Sequence, residues 1–138
     1  MSKILIIEDE VAIADLEKDY LELSDFKVDI CNTGDEGLKT ALAGDYDLII
    51  LDLMLPGMDG FELCRRSKAE LLTCHIPFLL LTAKGDEENR AEGYSAGADG
   101  YIAKPFSIKT LRTRVNSLIE QRIKLRERYR QKLLTDPS

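Results

Sequence analysis

The sequence has no long hydrophobic run, only one histidine and only three cysteines. No apolar stretch approaches the roughly 20 residues that span a bilayer, and Met1-Ser2-Lys3 leads straight into a strand-like run without signal-peptide features. Cys31, Cys64 and Cys74 lack CxxC spacing, so we expect reduced, buried thiols in a cytosolic protein. The lone His75 argues against a transition-metal site or an internal histidine phosphodonor.

Charge is unevenly distributed along the chain. The 138 residues carry a formal net charge of −6, yet residues 120–138 hold six basic and three acidic side chains, a net of +3, which leaves −9 for the remainder. An acidic body repels nucleic acid, so DNA binding by residues 1–119 is disfavoured. The length suits one domain with one core.

Five short segments have the pattern of strands. Residues 3–7, 47–51 and 76–81 are apolar and nearly unalternating, as in strands buried on both faces of a parallel sheet, and residues 27–31 and 100–103 form weaker strands. Segments of helical period follow each strand, so the order is a βα unit repeated five times. The sequence therefore predicts an α/β fold with a doubly wound, five-stranded parallel sheet and five helices, the last one extended.

Turn and capping residues predict where the helices begin and end. The expected helices run from Val11 to Leu23, from Thr33-Gly34 to near Gly44, from Gly60 to about Leu72, from Asp86 to near Gly97, and onward from Ser107. In the first helix, one broad apolar face is expected at Val11, Ala14, Leu16, Tyr20, Leu21 and Leu23. The opposite, polar face is expected at Asp15, Glu17, Lys18, Asp19 and Glu22.

The last helix is expected to change character along its length. Its apolar seam consists of Ile108, Leu111, Val115 and Leu118. Arg122 interrupts this row, so residues to about Ile119 can pack on the sheet, and Arg122 to Leu134 is predicted to project away. We therefore expect a compact domain at residues 1–119 and a charged helical extension or linker at residues 120–138.

Acidic side chains follow two of the predicted strands. Glu8 and Asp9 come after the first strand, and Asp52 comes after the third. If these strands are neighbours, the carboxylates converge and raise one another's pKa unless a cation or proton lies among them. A hard divalent ion, with Mg2+ as the leading candidate, keeps such a cluster ionised. One carboxylate would then be able to attack a phosphoryl group.

Two more polar side chains, Thr82 and Lys104, end the fourth and fifth predicted strands, where ligands bind in doubly wound sheets. Each residue also has a purely structural interpretation. Asp9 is a candidate N-cap for the helix at Val11, Asp52 a candidate turn residue, Thr82 a strand end and Lys104 a solvated side chain. The placement of all of them at the ends of four strands favours a shared site.

Five motifs resemble the signature stretches of response-regulator receiver domains of two-component signalling. They are Ile6-Ile-Glu-Asp-Glu10, Leu51-Asp-Leu-Met-Leu-Pro-Gly-Met-Asp-Gly60, Leu81-Thr-Ala-Lys84, Gly97-Ala-Asp99 and Tyr101-Ile-Ala-Lys-Pro-Phe106. The resemblance covers residues 3 to about 119 and implies a flavodoxin-like strand order of 2-1-3-4-5. It implies a phosphorylation-activated switch that takes a phosphoryl group from the phosphohistidine of a histidine kinase.

The resemblance also implies a role for each matching residue. Asp52 is the phosphoacceptor, Thr82 the hydroxyl that binds the phosphoryl group, and Lys104 the ammonium that pairs with it. Mg2+ would be held by Asp9, with help from Glu8, and by Asp52 and the backbone carbonyl of Met54. Ala83 leaves room for the phosphoryl oxygens. Pro105 is expected to be cis, and Tyr101 is expected to switch rotamer together with Thr82.

The output is less well defined by these motifs. DNA-binding regulators that dimerise through their fourth helix, fifth strand and fifth helix often carry Ala-Asp-Asp-Tyr where this chain has Ala98-Asp99-Gly100-Tyr101. One acid for that homodimer is missing, although Arg112 and Arg114 are present. The tail resembles the connector in hybrid sensor kinases that continue into an AraC-type DNA-binding domain, and from composition alone it is equally a solvated helix. DNA contact would need an effector domain outside this chain.

Alternative functions remain open at the level of residues. An aspartyl phosphatase typically has a second Asp two residues after its nucleophile, where this chain has Met54. A nucleotide-binding domain would be expected to carry G-x-G-x-x-G or G-x-x-x-x-G-K-[ST], and both are absent. A receiver-like module without phosphorylation is disfavoured by the complete acceptor set. We expect no external turnover, only catalysis of the domain's own phosphorylation and dephosphorylation.

Overall fold

The computed structural model describes residues 1–55, 59–82, 91–92 and 94–135. Five strands form one sheet: Lys3–Ile7 (β1), Lys27–Cys31 (β2), Leu48–Asp52 (β3), Phe78–Thr82 (β4) and Gly100–Ala103 (β5). Every neighbouring pair is parallel, and the order across the sheet is β2-β1-β3-β4-β5. The predicted sheet and its strand order are confirmed.

Two of the strands lie slightly later in the chain than predicted. β3 and β4 each include the polar residue at their carboxyl end, because Asp52 pairs in register with Leu81 and Thr82 pairs in register with Ala103. β4 begins only after Pro77, which has no N–H to donate to a neighbouring strand. The carbonyl of Pro77 instead accepts a hydrogen bond from the N–H of Ile49 at 3.0 Å.

The sheet is covered on both faces, as its nearly continuous apolar strands require. One buried cluster joins strand residues to the second and third helices and includes Leu5, Ile7, Ala41, Ile49, Leu51, Leu63, Cys64 and Phe78. The opposite cluster joins the alternate strand residues to the first and last helices and includes Ile4, Ile6, Ala14, Leu21, Ile50, Leu79, Leu111 and Val115. The alternation along each strand produces two cores on one sheet.

Side-chain caps set the helix ends. The helices with bounds close to those predicted are Val11–Leu23 (α1), Gly34–Ala43 (α2) and Gly60–Ala69 (α3). The Thr33 hydroxyl accepts from the Glu36 N–H at 3.2 Å, and Asp59 accepts from the Phe61 N–H at 3.0 Å. α3 stops before the predicted end near Leu72.

The helix predicted from Asp86 to near Gly97 falls largely outside the described residues. Within that range, residues 91–92 and 94–95 are helical. Gly97 has a φ of +98°, the left-handed conformation that glycine supplies at a helix end.

The predicted orientation of α1 is wrong at four positions, because Glu17 is buried and the apolar Val11, Leu16 and Leu23 are exposed. The helix buries Ala14, Glu17 and Leu21, whereas Leu16 is 64% exposed. The spacing of three and four residues between the buried positions is that of one helix face, so a carboxyl side chain occupies a core position. Apolar residues are spread too widely around α1 for their pattern alone to select the buried face.

Glu17 is consequently an acid inside the domain. It is 2% exposed, and its two carboxyl oxygens are buried without a hydrogen-bond partner among the described residues. Burial raises the pKa of Glu17 to about 7, while Lys104 lowers it and Asp52 raises it by smaller amounts. The side chain is therefore largely protonated below pH 7 in the folded state.

The C-terminal helix, Ile108–Thr135, begins at a Ser107 cap that accepts from the Thr110 N–H at 3.1 Å. Arg122 does not project into solvent as predicted: its side chain is 9% exposed and donates from Nη1 to the Tyr46 carbonyl at 2.8 Å. The same Nη1 lies 3.5 Å from Asp47 Oδ1. The guanidinium therefore binds the helix to the amino edge of the sheet. The predicted domain boundary between residues 119 and 120 stays a prediction.

Within the described residues, no helix combines the length and apolarity that a bilayer crossing requires.

Replacing Glu17 by Gln should change how stability depends on pH. The unfolded acid ionises near pH 4.5 and the folded acid near pH 7, so the wild-type free energy of unfolding falls as pH rises through this range. The loss from this group approaches about 3 kcal/mol. Urea denaturation at pH 5 and pH 8, with chelator present, should show that the variant gains stability relative to wild type at pH 8.

Glu22→Gln is the matched control, because Glu22 is exposed on the same helix. It should leave the difference between pH 5 and pH 8 unchanged. Identical pH profiles for wild type and Glu17→Gln would show that Glu17 is not a buried acid.

Candidate functional site

The carboxyl ends of β1 and β3 bring three acids together. Ile7 pairs in register with Leu51, so Glu8 and Asp9, which follow β1, lie beside Asp52, the last residue of β3. Carboxylate oxygens of the three residues all lie within 4.8 Å of one another. Glu8 is 1% exposed and Asp52 is 2% exposed. The predicted convergence of these side chains is therefore present in the structure.

Asp52 is held by two donors. Its Oδ1 accepts a hydrogen bond from the Met54 N–H at 2.9 Å, and its Oδ2 accepts one from Lys104 Nζ at 3.0 Å. The chain after β3 is fixed in turn, because the Leu53 N–H donates to the Leu81 carbonyl at 3.0 Å. Sequence reasoning assigned the carbonyl of Met54 to the site, and the structure adds its N–H as a donor to Asp52.

Lys104 reaches the acids from the far side of the sheet edge. It follows β5, and its backbone N–H donates to the Thr82 carbonyl at 2.6 Å. Its Nζ lies 3.5 Å from Glu8 Oε1 as well as 3.0 Å from Asp52. The Lys104–Pro105 peptide bond is cis. The ammonium thus bridges two of the three carboxylates.

The charges in the site are distributed unequally. Burial, followed by the neighbouring Asp52, raises the pKa of Glu8 to about 9. Burial alone would raise the pKa of Asp52, but Glu8, the Met54 N–H and Lys104 together lower it. Burial likewise opposes the charge on Lys104, yet the two acids raise its pKa overall. Asp52 is therefore the ionised member of the pair and Glu8 the protonated one.

The acids fit a hard divalent cation. Both oxygens of Glu8 are buried without a hydrogen-bond partner among the described residues, and they lie beside the oxygens of Asp9 and Asp52. All the donor atoms are oxygens, and Asp9, the half-buried residue of the three, lies nearest the solvent. Such a donor set suits Mg2+. Since a cation displaces the Glu8 proton, binding it would be coupled to deprotonation.

Thr82 and Tyr101 lie on the neighbouring strands. Thr82 ends β4, is 1% exposed, and has a buried hydroxyl without a hydrogen-bond partner among the described residues. Tyr101 lies in β5 and is 5% exposed, with its ring 6.4 Å from that of Tyr94. Ala83 lies outside the described residues. The structure places Thr82 at the edge shared by the acids and gives Tyr101 a buried position.

Sequence reasoning missed Glu17 as a neighbour of this site. A cavity of about 320 Å³ lies between α1 and the segment after β5. Its lining residues are Ile13, Leu16, Glu17, Lys104, Pro105, Phe106 and Ile108. Glu17 adds a fourth carboxyl group that raises the pKa of Glu8. The only sequence signal for it is the spacing Ala14, Glu17, Leu21.

Comparisons with known proteins identify the family to which this chain belongs. A family model of the response regulator receiver domain matches residues 4–116. The transcriptional regulatory protein ResD of Bacillus subtilis (strain 168) is 44% identical over 120 residues, which are 87% of this chain and 49% of ResD. The chain spans about half the length of the curated relatives it matches.

Two solved structures of response regulators are similar to this chain in fold and in sequence. A response regulator receiver domain protein (CheY-like) from Methanospirillum hungatei JF-1 is 31% identical with a TM-score of 0.84, covering 90% of this chain and 98% of its own. A putative response regulator from Chloroflexus aurantiacus J-10-fl is 34% identical with a TM-score of 0.82, covering 86% and 98%. The resemblance carried by the five motifs is confirmed. The chain belongs to the response-regulator receiver family, whose domains are phosphorylation-activated switches of two-component signalling.

Proposed function

We propose that Asp52 is the phosphoacceptor and takes the phosphoryl group from a phosphohistidine of a histidine kinase. The observation that carries this proposal is the bridging of Asp52 and Glu8 by Lys104 beside a third acid, Asp9. The arrangement keeps Asp52 ionised, as a nucleophile must be, and puts an ammonium where phosphoryl oxygens would arrive.

In the proposed reaction an oxygen of Asp52 forms a bond to phosphorus as the phosphorus–nitrogen bond of the donor breaks. The imidazole nitrogen keeps the electron pair of that bond, and Asp52 becomes an acyl phosphate. Lys104 exchanges its contact with the carboxylate for one with a phosphoryl oxygen, and the Thr82 hydroxyl donates to another. The Met54 N–H orients Asp52 for attack.

Mg2+ is the proposed cofactor. Asp9, Asp52 and the Met54 carbonyl would hold it, with Glu8 assisting. When bound, it would neutralise negative charge on the phosphoryl oxygens. The protein contributes the converging strand ends, which deliver these donors from two neighbouring strands.

Signal output is proposed to run through Thr82 and Tyr101. Movement of the Thr82 hydroxyl towards the phosphoryl group would open space beside β5, and Tyr101 would change its rotamer. The domain would turn over no external substrate, and it would catalyse only its own phosphorylation and dephosphorylation.

The wider partners are also proposals. The curated relatives include one named as a DNA-binding transcriptional regulator, RpaA of Synechocystis, and this chain covers 50% of it. We place DNA contact in an effector domain outside these residues. A homodimer through β5 and the C-terminal helix would lack the acid replaced by Gly100, and its Arg112 lies 5.8 Å from the ring of Tyr20.

Asp52→Asn should abolish labelling of the protein by radioactive acetyl phosphate in the presence of Mg2+. The amide cannot act as the nucleophile, and circular dichroism should show an unchanged fold. Asp15→Asn, at an exposed position of α1, is the control and should be labelled stoichiometrically like wild type. Persistent labelling of the Asp52→Asn variant would refute the assignment, and continuous phosphate release by wild type would indicate a phosphatase instead.

Lys104→Ala should still permit slow phosphorylation yet disconnect it from Tyr101. Without the ammonium, the acyl phosphate has no ion pair with the residue that follows β5. Phosphorylation should then not change the environment of Tyr101 in β5, and the Tyr101 resonance should not shift. Fluorotyrosine NMR before and after acetyl phosphate measures this, with Tyr101→Phe for assignment and Lys109→Ala as an exposed control. A Tyr101 shift of wild-type size in the Lys104→Ala variant would contradict the coupling.

A further inference from the structure

The buried seam of the C-terminal helix continues past the body of the domain. Leu111, Val115 and Leu118 pack against the sheet, and the same spacing of three and four residues leads on to Leu125 and Tyr129. These two are 49% and 62% exposed. We call Leu125 and Tyr129 the distal ridge. The ridge is the exposed continuation of an apolar seam whose first half packs against the sheet.

Arg122 holds this ridge in a fixed position. Its guanidinium donates to the Tyr46 carbonyl and lies 3.5 Å from Asp47, at the edge where the helix leaves the sheet. The following 13 residues remain helical to Thr135, which amounts to roughly 20 Å of helix. The ridge is therefore presented on a projecting helix with a rigid base.

Basic side chains flank the distal ridge on both sides. With Leu125 and Tyr129 taken as the two apolar positions of a heptad, Arg126 and Arg128 occupy the positions that border them. Lys124 and Arg130 lie farther round the helix. The acid of this segment, Glu127, is on the far face, where it lies 3.9 Å from Arg130. The border of the ridge is thus basic on each side.

This charge pattern selects the partner. Pairing of two copies through the ridge would bring like charges together in either orientation, which disfavours association. A parallel pair would set Lys132, at the next seam position, against its own copy, and an antiparallel pair would set Arg126 and Arg128 against their own copies. A helix with apolar residues at its seam and Glu or Asp at the bordering positions would be complementary in both respects. We propose that the distal ridge is a docking surface for an acidic amphipathic helix of a partner protein.

A synthetic labelled peptide tests this directly. It has about three heptads, Leu at both seam positions and Glu at the bordering positions, and a second peptide has Lys in place of Glu. Fluorescence anisotropy with the full 138-residue chain should show binding of the Glu peptide, weakened by high salt. The Lys peptide should bind at least about tenfold more weakly.

Two double variants with equal net charge separate a docking surface from general attraction. Arg126→Glu with Arg128→Glu should weaken binding of the Glu peptide by about tenfold or more, whereas Lys124→Glu with Arg130→Glu should change it by less than about threefold. Leu125→Ala with Tyr129→Ala should also weaken it by about tenfold. Circular dichroism checks that all the variants keep their helix content.

Other outcomes overturn the proposal. Equal losses in the two charge variants would show unspecific attraction to the basic helix. Dimerisation of the wild-type chain that is abolished by Leu125→Ala with Tyr129→Ala would assign the ridge to a second copy. Tighter binding of a short DNA duplex than of the Glu peptide would assign the basic border to phosphates.

Discussion

The constraint on which the site depends is the repulsion among carboxylates delivered to one edge of the sheet. Glu8, Asp9 and Asp52 lie within 4.8 Å of one another, and two of them are almost fully buried. Such a cluster persists only if something neutralises it. The Lys104 ammonium lies 3.0 Å from Asp52 and supplies one positive charge. Burial and Asp52 also raise the pKa of Glu8 to about 9, so Glu8 carries a proton at neutral pH and adds no negative charge. A divalent ion would replace the proton and leave Lys104 free to follow an incoming phosphoryl group.

The sheet imposes this arrangement through its register. Parallel strands place their carboxyl ends at one edge, and side chains from four strands meet there. Two of them are fixed through the backbone, because the Met54 N–H donates to Asp52 and the N–H of Lys104 donates to the Thr82 carbonyl. Backbone hydrogen bonds at the strand ends thus position the side chains of the candidate site.

Much of the fold and the site follows from the sequence because strand ends are readable. Apolar runs that end in Asp52 and Thr82 predict both a strand and a candidate site residue at its end. The βα alternation predicts a parallel sheet, in which these strand ends lie at the same edge. Side-chain packing is less readable. Glu17 was expected on the polar face of α1, but it is buried. The prediction failed because the apolar residues are spread around the helix and their pattern does not reveal which face packs against the sheet. Arg122 was expected in solvent and instead binds Tyr46 and Asp47, partners distant in sequence that only the folded chain brings near.

The most direct measurement of the central claim is calorimetric titration of Mg2+ into wild type, Asp9→Asn and Glu10→Gln. We expect one ion per chain for wild type and for the exposed Glu10→Gln control, and at least about tenfold weaker binding for Asp9→Asn. Proton release on binding should accompany it at neutral pH, because the ion displaces the proton on Glu8. Equal affinity in all three proteins, with no proton released, would contradict the shared metal site.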